Sequence, residues 1–160
     1  TKSLWSQLGL KSVSGEFSGT ELEWLPSKQT TWQAWQKANP NGEVLNTETG
    51  HRRNYVKLPY QSYFTSQKTM FPYERHRDEL EPKEWVAGIR VNGQAKAYHL
   101  EDMPESGWID DKVGGTAIRV RYDPKDASFE ARTAEGKSIP VVHAFWFAWQ
   151  AFYPQTELRN

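Results

Sequence analysis

The chain has 160 residues, enough for one compact domain over residues 1–160, and 14% of them are aromatic within an apolar total of only 37%. Its 20 Lys and Arg balance 20 Asp and Glu, so it has no overall positive field for phosphate groups and no nucleic-acid partner is expected. The absence of cysteine excludes disulfides, thiol nucleophiles and thiolate metal sites, and no apolar segment is long enough to span a bilayer.

The N-terminal residues are predicted to form short strands. Glycines at positions 9, 15 and 19 divide this part of the chain into extended pieces. Glycine at such spacing favours turns between strands. We therefore expect strands over Leu4–Gln7, Lys11–Phe17 and Thr20–Leu25.

An internal repeat follows, because residues 26–46 resemble residues 140–160 without a gap. In each copy two tryptophans three residues apart share one helix face, and a proline five residues after the second ends the helix. Each copy is therefore predicted to form an extended segment, a short helix and a strand, and the duplication predicts two pseudo-symmetric helices. The identical pairs are Pro26/Pro140, Trp32/Trp146, Ala34/Ala148, Trp35/Trp149, Gln36/Gln150, Pro40/Pro154, Glu43/Glu157 and Asn46/Asn160.

The two copies differ in polarity. The second is apolar almost all round through its phenylalanines, whereas the first keeps a polar face through Gln33, Gln36 and Lys37. This pattern indicates that the second helix is the more buried of the two. The four tryptophans of the repeat are all expected in the core. The others are expected to be half-buried or, if two share an exposed face, to form a stacking platform: Trp5, Trp24, Trp85 and Trp108.

Between the copies, residues 47–84 are predicted to be an irregular loop or insertion with one short helix. Trp85–Val91 alternates apolar and polar residues, Asn92-Gly93 favours a two-residue turn, and Gln94–Leu100 is the returning strand. Further hairpins are predicted at Gly114-Gly115, which leads into Thr116–Tyr122, and at Glu135-Gly136. The expected fold is α+β and β-rich, with short antiparallel hairpins in a barrel-like or sandwich core.

Motifs spread along the chain resemble the C-terminal part of a bacterial family known as domain-of-unknown-function family 3179. The resemblance implies a secreted or lipid-anchored protein outside the cytoplasm, with no assigned activity. It also implies an additional N-terminal half with paired cysteines, which is absent here. The motifs are Ser3–Gln7, Trp32 to Pro40, Thr49–Arg52, Pro59-Tyr60, Lys83–Leu100 with Lys96-Ala97-Tyr98, Val113–Gly115, and Phe145–Trp149 to Pro154.

Two positions depart from the pattern that the resemblance implies. His99 stands where the family usually has proline after Lys-Ala-Tyr, and Asp110 stands where it usually has asparagine. The four histidines have no metal-ligand spacing such as His-x-x-x-His, so we expect structural roles for them, no metal site and no cofactor. They are His51, His76, His99 and His143.

The turn that begins at Thr49-Gly50 is a candidate anion site. His51, Arg52 and Arg53 place two guanidinium groups close to turn amides, which suits a carboxylate or a phosphate. The alternative is a solvated basic turn that pairs with nearby glutamates. We favour the solvated turn, because charged turns of this kind are common on protein surfaces.

The carboxylates Asp102, Asp110 and Asp111 are the weak catalytic candidates, since clustered carboxylates can do acid–base work, although aspartate is also common in turns. We favour a non-catalytic binding or structural module whose partner is the missing N-terminal half or another chain. The alternative is a hydrolase that combines these carboxylates with Arg52 or Arg53. Convergence of carboxylates and arginines in one pocket would favour the enzyme, and an exposed aromatic face would favour the module.

Overall fold

The computed structural model of the protein describes residues 1–70, 72–74 and 77–159. The fold is β-rich, with short helices and mostly antiparallel strand pairs. The elements are β1 (Leu4–Ser6), β2 (Lys11–Ser14), α1 (Trp32–Ala38), α2 (Gln61–Phe64), β3 (Trp85–Val91), β4 (Gln94–His99), a 3-10 turn (Leu100–Asp102), β5 (Ile109–Val113), β6 (Thr116–Asp123), β7 (Ser128–Thr133), β8 (Ser138–Ile139), β9 (Val142–Phe145), α3 (Trp146–Phe152) and β10 (Glu157–Arg159).

The strands form a two-stranded sheet, β1-β2, and two four-stranded sheets with the orders β10-β4-β3-β9 and β5-β6-β7-β8. The predicted hairpin at Asn92-Gly93 is confirmed: both turn residues have positive φ, 49° and 81°, and Val91 pairs with Gln94. Two residues of this kind match the twist of the flanking strands. The hairpins at Gly114-Gly115 and Glu135-Gly136 are also confirmed.

The main core lies between the two four-stranded sheets. One cluster of buried side chains includes Ile89 and Tyr98 from the first sheet and Val120 and Phe129 from the second. The arrangement is sandwich-like, and the barrel-like alternative is wrong because neither sheet closes on itself. Closure needs a continuous hydrogen-bonded ladder, and in the described part of the chain the strands at the edges of each sheet pair on one side only.

The second core cluster lies on the other face of the first sheet, under α3. Trp146 and Trp149 are 0% exposed there. Gly88 of β3 has no side chain, and the indole of Trp149 fills that space so closely that a Cβ would lie 2.3 Å from the ring. The indole Nε1 of Trp149 also donates to Thr156 Oγ1 at 3.0 Å. These contacts confirm the core position predicted for the second pair of tryptophans.

The N-terminal strands are shorter than predicted. The third, expected over Thr20–Leu25, does not form, and only an isolated bridge joins Lys11 to Glu21. Ser12 N donates to Thr20 O and Leu22 N donates to Leu10 O, but among the described residues no backbone bond of this kind continues beyond Leu22. With no longer ladder of hydrogen bonds, residues 23–25 stay irregular.

The first copy of the repeat differs from the second beyond its helix. The predicted helix forms as α1, but Trp32 is 54% exposed and none of the helix residues is buried. The expected core position of Trp32 and Trp35 is therefore wrong. The predicted strand after α1 is also wrong, because no described strand lies beside residues 43–45 to pair with them. One identical pair of the repeat, Asn46/Asn160, includes a residue outside the described ranges.

In residues 47–84 the only helix among the described residues is α2. Lys83 Nζ donates to the backbone oxygens of Tyr63 and Ser66 at 2.5 and 2.6 Å, and it lies 3.4 Å from the centroid of the Tyr63 ring. Phe64 contacts Phe145 at 6.1 Å between ring centroids. The contacts of Lys83 hold two parts of the segment together, and the contact between Phe64 and Phe145 attaches the segment to the end of β9. Among the described residues, no helix has the length and apolarity that crossing a membrane requires.

Candidate functional site

The most unusual surface of the molecule belongs to residues 1–70, called here the N-terminal arm. Only Ser12 is buried in the arm. Among the described residues, all the exposed large apolar side chains except Trp85 and Phe152 lie between Leu4 and Met70. Scattered exposed apolar residues are ordinary, but an accumulation in one segment that has no core of its own indicates an interaction surface.

Polar contacts hold part of the arm on the second four-stranded sheet. Thr31 N donates to Asp126 O at 2.8 Å, and Thr30 Oγ1 donates to the same oxygen at 3.0 Å. Lys28 Nζ lies 3.1 Å from Glu130 Oε1. The segment before α1 therefore has a defined position, although almost none of its side chains are buried.

Glu130 is the ionic centre of this attachment. Burial acts to raise its pKa, but hydrogen bonds from Arg121, Lys28 and Arg132 outweigh burial and lower the pKa to about 2. The carboxylate therefore stays ionised at any ordinary pH. Arg121 and Arg132 also approach the indole of Trp108, with guanidinium carbons 5.1 and 5.4 Å from the ring centroid, and the guanidinium carbon of Arg119 lies 4.9 Å from it.

An aromatic pair dominates the exposed face of α1. The rings of Trp32 and Trp35 stack with centroids 5.1 Å apart. Beyond the helix, Val44 is 61% and Leu45 is 99% exposed. The helix and the residues after it thus present an apolar face on which the described part of the chain places no sheet.

The predicted catalytic candidate Asp111 lies between the two four-stranded sheets. Its Oδ1 accepts from Lys96 Nζ at 3.0 Å, and its Oδ2 accepts from the Tyr98 hydroxyl at 2.9 Å. Burial acts to raise the pKa of Asp111, but the hydrogen bonds from Lys96, the Lys112 amide and Tyr98 leave it lowered. Burial and the adjacent carboxylate raise the pKa of Tyr98. The network joins β5 to β4, which is a structural task.

The other carboxylate candidates are separate from this network. Asp102 is exposed and bonds His99 Nδ1, while Glu84 Oε2 lies 3.7 Å from His99 Nε2. Asp110 is exposed on β5, opposite Arg119 of β6. Among the described residues, none of the three aspartates forms an ion pair with Arg52 or Arg53. The hydrolase alternative stays a prediction.

The candidate anion turn is on the surface. Gly50 has φ of +76°, and His51, Arg52 and Arg53 are all exposed. The amide of His51 lies 3.4 Å from Thr49 Oγ1, at the long end of hydrogen bonding. Within the described ranges neither arginine has an ion-pair partner. The three residues are neighbours in the sequence, which does not by itself bring their side chains to one point. The anion site therefore stays a prediction.

We expect the double variant Arg52→Gln/Arg53→Gln to bind phosphate, sulfate and small dicarboxylates no differently from the unmodified chain. Exposed guanidinium groups in a solvated turn contribute only about 0–1 kcal/mol to any single contact. Isothermal titration of both proteins with each anion measures the difference. Binding to the unmodified chain that the double variant loses would instead establish the site.

His143 lines a cavity of about 530 Å³ at one end of the sandwich. The lining combines apolar side chains with polar ones, among them Trp85, Leu100, Met103, Gln29, Glu101 and Glu105. The Nε2 of His143 is buried and has no hydrogen-bond partner among the described residues. Burial lowers the pKa of His143 from 6.5, because the imidazolium form loses its hydration. The imidazole is therefore neutral in the folded chain near neutral pH.

This lowered pKa predicts a pH-dependent loss of stability. The unfolded chain takes up a proton at His143 below about pH 6.5, whereas the folded chain resists protonation, so acid favours unfolding. We expect the free energy of unfolding to fall more steeply below about pH 6.5 for the unmodified chain than for His143→Gln. Urea titrations of both proteins from pH 8 to pH 5 measure this. Equal slopes would contradict a buried neutral imidazole.

The described histidines lie in separate parts of the structure. His99 is buried at the end of β4, His143 is in β9 and His51 is in the arm, while His76 lies outside the described residues. Within the described ranges no three His, Asp or Glu side chains are close enough to hold a metal ion. The sequence patterns did not predict the exposed apolar surface of the N-terminal arm. The lack of regular alternation over residues 40–84 was nevertheless a signal that this part has no sheet of its own.

Comparison with known proteins gives a family but no characterised relative. The model of a family described as "Protein of unknown function (DUF3179)" matches residues 1–141. No curated protein and no solved structure matches the chain. The match covers the whole arm, β3 and β4 of the first four-stranded sheet and all of the second, and it ends before β9.

Proposed function

The chain belongs to the DUF3179 family over residues 1–141, and we propose that it is a non-catalytic binding or structural module that contacts a second polypeptide through its N-terminal arm. The observation that supports this proposal is the distribution of apolar side chains. Among the described residues, the arm carries all the exposed large apolar side chains except Trp85 and Phe152, and only Ser12 of the arm is buried. A segment that exposes so much apolar surface gains stability when another protein covers it.

The partner polypeptide is either the additional N-terminal half that the family resemblance implies or a separate chain. The location proposed for the module is outside the cytoplasm, and this part rests on the resemblance alone. It is tested by fractionating the cells that make the protein. Recovery in the cytoplasmic fraction would contradict it.

Site-specific photo-cross-linking tests the contact through the arm. A photoreactive amino acid at Leu45, which is 99% exposed, is compared with the same group at Arg119, an exposed position on β6. We expect a discrete adduct from position 45 in the cells that make the protein, and the same adduct when the purified components are mixed. No adduct at position 45, or equal adducts from both positions, would contradict a docking role for the arm.

A further inference from the structure

The two copies of the internal repeat have the same local geometry. Helices α1 and α3 each span seven residues and begin at the first tryptophan of their copy. The residues before them, Thr31 and Phe145, have φ/ψ of −68°/153° and −70°/147°. The residues after them, Asn39 and Tyr153, have −128°/66° and −130°/65°, and each donates its amide to the second tryptophan's carbonyl. The chain therefore forms the same short helix, with the same backbone conformation at both ends, twice.

The second copy is wrapped around a β-hairpin. Strand β9 pairs antiparallel with β3, and β10 pairs in parallel with β4 on the other side of the same hairpin. Between these two strands, the indole of Trp149 covers Gly88 of β3. Glu157 of β10 also lies 3.3 Å from Lys96 of β4. The copy thus clamps the β3–β4 hairpin from both edges and from above.

The first copy repeats the helix and its flanking backbone angles, but among the described residues no strand pairs with its counterparts of β9 and β10. Trp32 is 54% exposed, where its counterpart Trp146 is 0% exposed. Val44 is 61% exposed, where its counterpart Leu158 packs against the core beneath α3. The Trp35 ring rests on Gly42 of its own loop, where a Cβ would lie 2.5 Å from it.

Within the described part of the chain, the backbone amides of the first copy also lack the strand partner that their counterparts in the second copy have. In the second copy Trp146 N donates to Glu84 O, just before β3. The amides of Ala144 and Val142 also face β3, because the backbone amides of successive residues in a strand point to alternate sides. Their counterparts in the first copy, the amides of Lys28, Thr30 and Trp32, have no backbone partner among the described residues. The bond from Thr31 to Asp126 uses the amide that points the other way.

We propose that residues 26–45 form an open clamp that binds a further β-hairpin, one that the described residues of this chain do not supply. The inference rests on the proposed function and names the partner element. The bound hairpin has a glycine or alanine beneath Trp35, a free edge for residues 43–45 and a basic residue opposite Glu43, as Gly88, β4 and Lys96 provide in the second copy. The contact is strand addition on two edges with an aromatic anchor.

A second copy of the chain does not satisfy this requirement. Its own β3–β4 hairpin is already enclosed by β9, α3 and β10. Displacing α3 would expose Trp146 and Trp149, which are fully buried. The occupant is therefore an additional hairpin of the β3–β4 type.

A fusion protein tests the clamp with a defined probe. An extra copy of residues 80–100 is joined by a Gly/Ser linker ahead of Thr1 of the full chain, so that its effective concentration is in the millimolar range. The matched control has Gly88→Val in the extra copy only. We expect amide hydrogen exchange of residues 28–45 to slow by about 100-fold or more in the fusion and to stay unchanged in the control.

Trp35→Ala in the fusion is expected to return the amide exchange of residues 28–45 to its rate in the unfused chain, since the variant removes the indole that would cover Gly88 of the extra hairpin. Equal exchange in the fusion and in the unfused chain would overturn the clamp, and so would equal protection in the fusion and the glycine control. The photo-cross-linking experiment separates the two proposals. Adducts at position 45 without protection of residues 28–45 in the fusion leave the docking function standing and reject the hairpin as its occupant. Protection without adducts shows that the segment can hold a hairpin, but it rejects the docking function and with it the role proposed for the clamp.

Discussion

Trp149→Ala is expected to lower the free energy of unfolding by about 3–5 kcal/mol, the range for deletion of a large buried aromatic side chain. The indole is 0% exposed, covers Gly88 and donates to Thr156 Oγ1. The variant therefore leaves a cavity beside a strand that has no side chain to fill it, and it leaves the Thr156 hydroxyl without its donor. Urea unfolding followed by far-UV circular dichroism measures the change.

Trp35→Ala is the matched control, because Trp35 holds the equivalent position in the first copy. Trp35 is only half-buried, on the flank of an exposed helix. We expect the control to cost less than about 1 kcal/mol, since little apolar area is removed from the interior. Similar losses for the two variants would mean that the first copy is also part of the core, and would remove the basis of the open clamp.

Strong local patterns explain which elements could be predicted from the sequence. The alternation of Trp85–Val91 and the Asn92-Gly93 turn predicted β3, the turn and β4 to within one residue. The paired tryptophans and the prolines at 40 and 154 predicted both helices. These signals act within a few residues, so the sequence alone contains them.

The burial of α1 and α3 depends on whether a sheet packs against each helix. The tryptophans of the helix alone do not determine this. The two segments share the Trp-x-x-Trp spacing, yet their first tryptophans, Trp32 and Trp146, are 54% and 0% exposed. The polar face formed by Gln33, Gln36 and Lys37 was the one local signal of the difference, and it predicted the direction correctly. The extent could not be predicted, because it requires a sheet contributed by residues far away in sequence.

The candidate site shows the same limit. Asp111 was recognised as a carboxylate beside a turn, but its contacts with Lys96 and Tyr98 depend on the register of two hairpins and on how the sheets face each other. No local spacing contains that information. The exposed arm is likewise a property of the whole molecule, because it follows from the cores lying entirely within residues 80–158.

Gly88→Val is expected to lower the free energy of unfolding by about 3 kcal/mol, at the upper end of the usual cost of overpacking a core. An added Cβ would lie 2.3 to 2.5 Å from three atoms of the Trp149 ring, which is itself held by the hydrogen bond to Thr156. Valine favours strands more than glycine does, so intrinsic propensity acts in the opposite direction. A loss of stability would therefore measure the close packing of the indole on β3.

Gly42→Val is the matched control for this variant, since a Cβ at Gly42 would lie 2.5 Å from the ring of Trp35. The distance is nearly the same as at Gly88, but the neighbouring indole is not enclosed. We expect Trp35 to turn toward solvent and the free energy of unfolding to change by less than about 1 kcal/mol. Denaturant titration of the two variants side by side makes the comparison. A loss at Gly42 as large as that at Gly88 would show that Trp35 is fixed in place and that the clamp is already closed on its own loop.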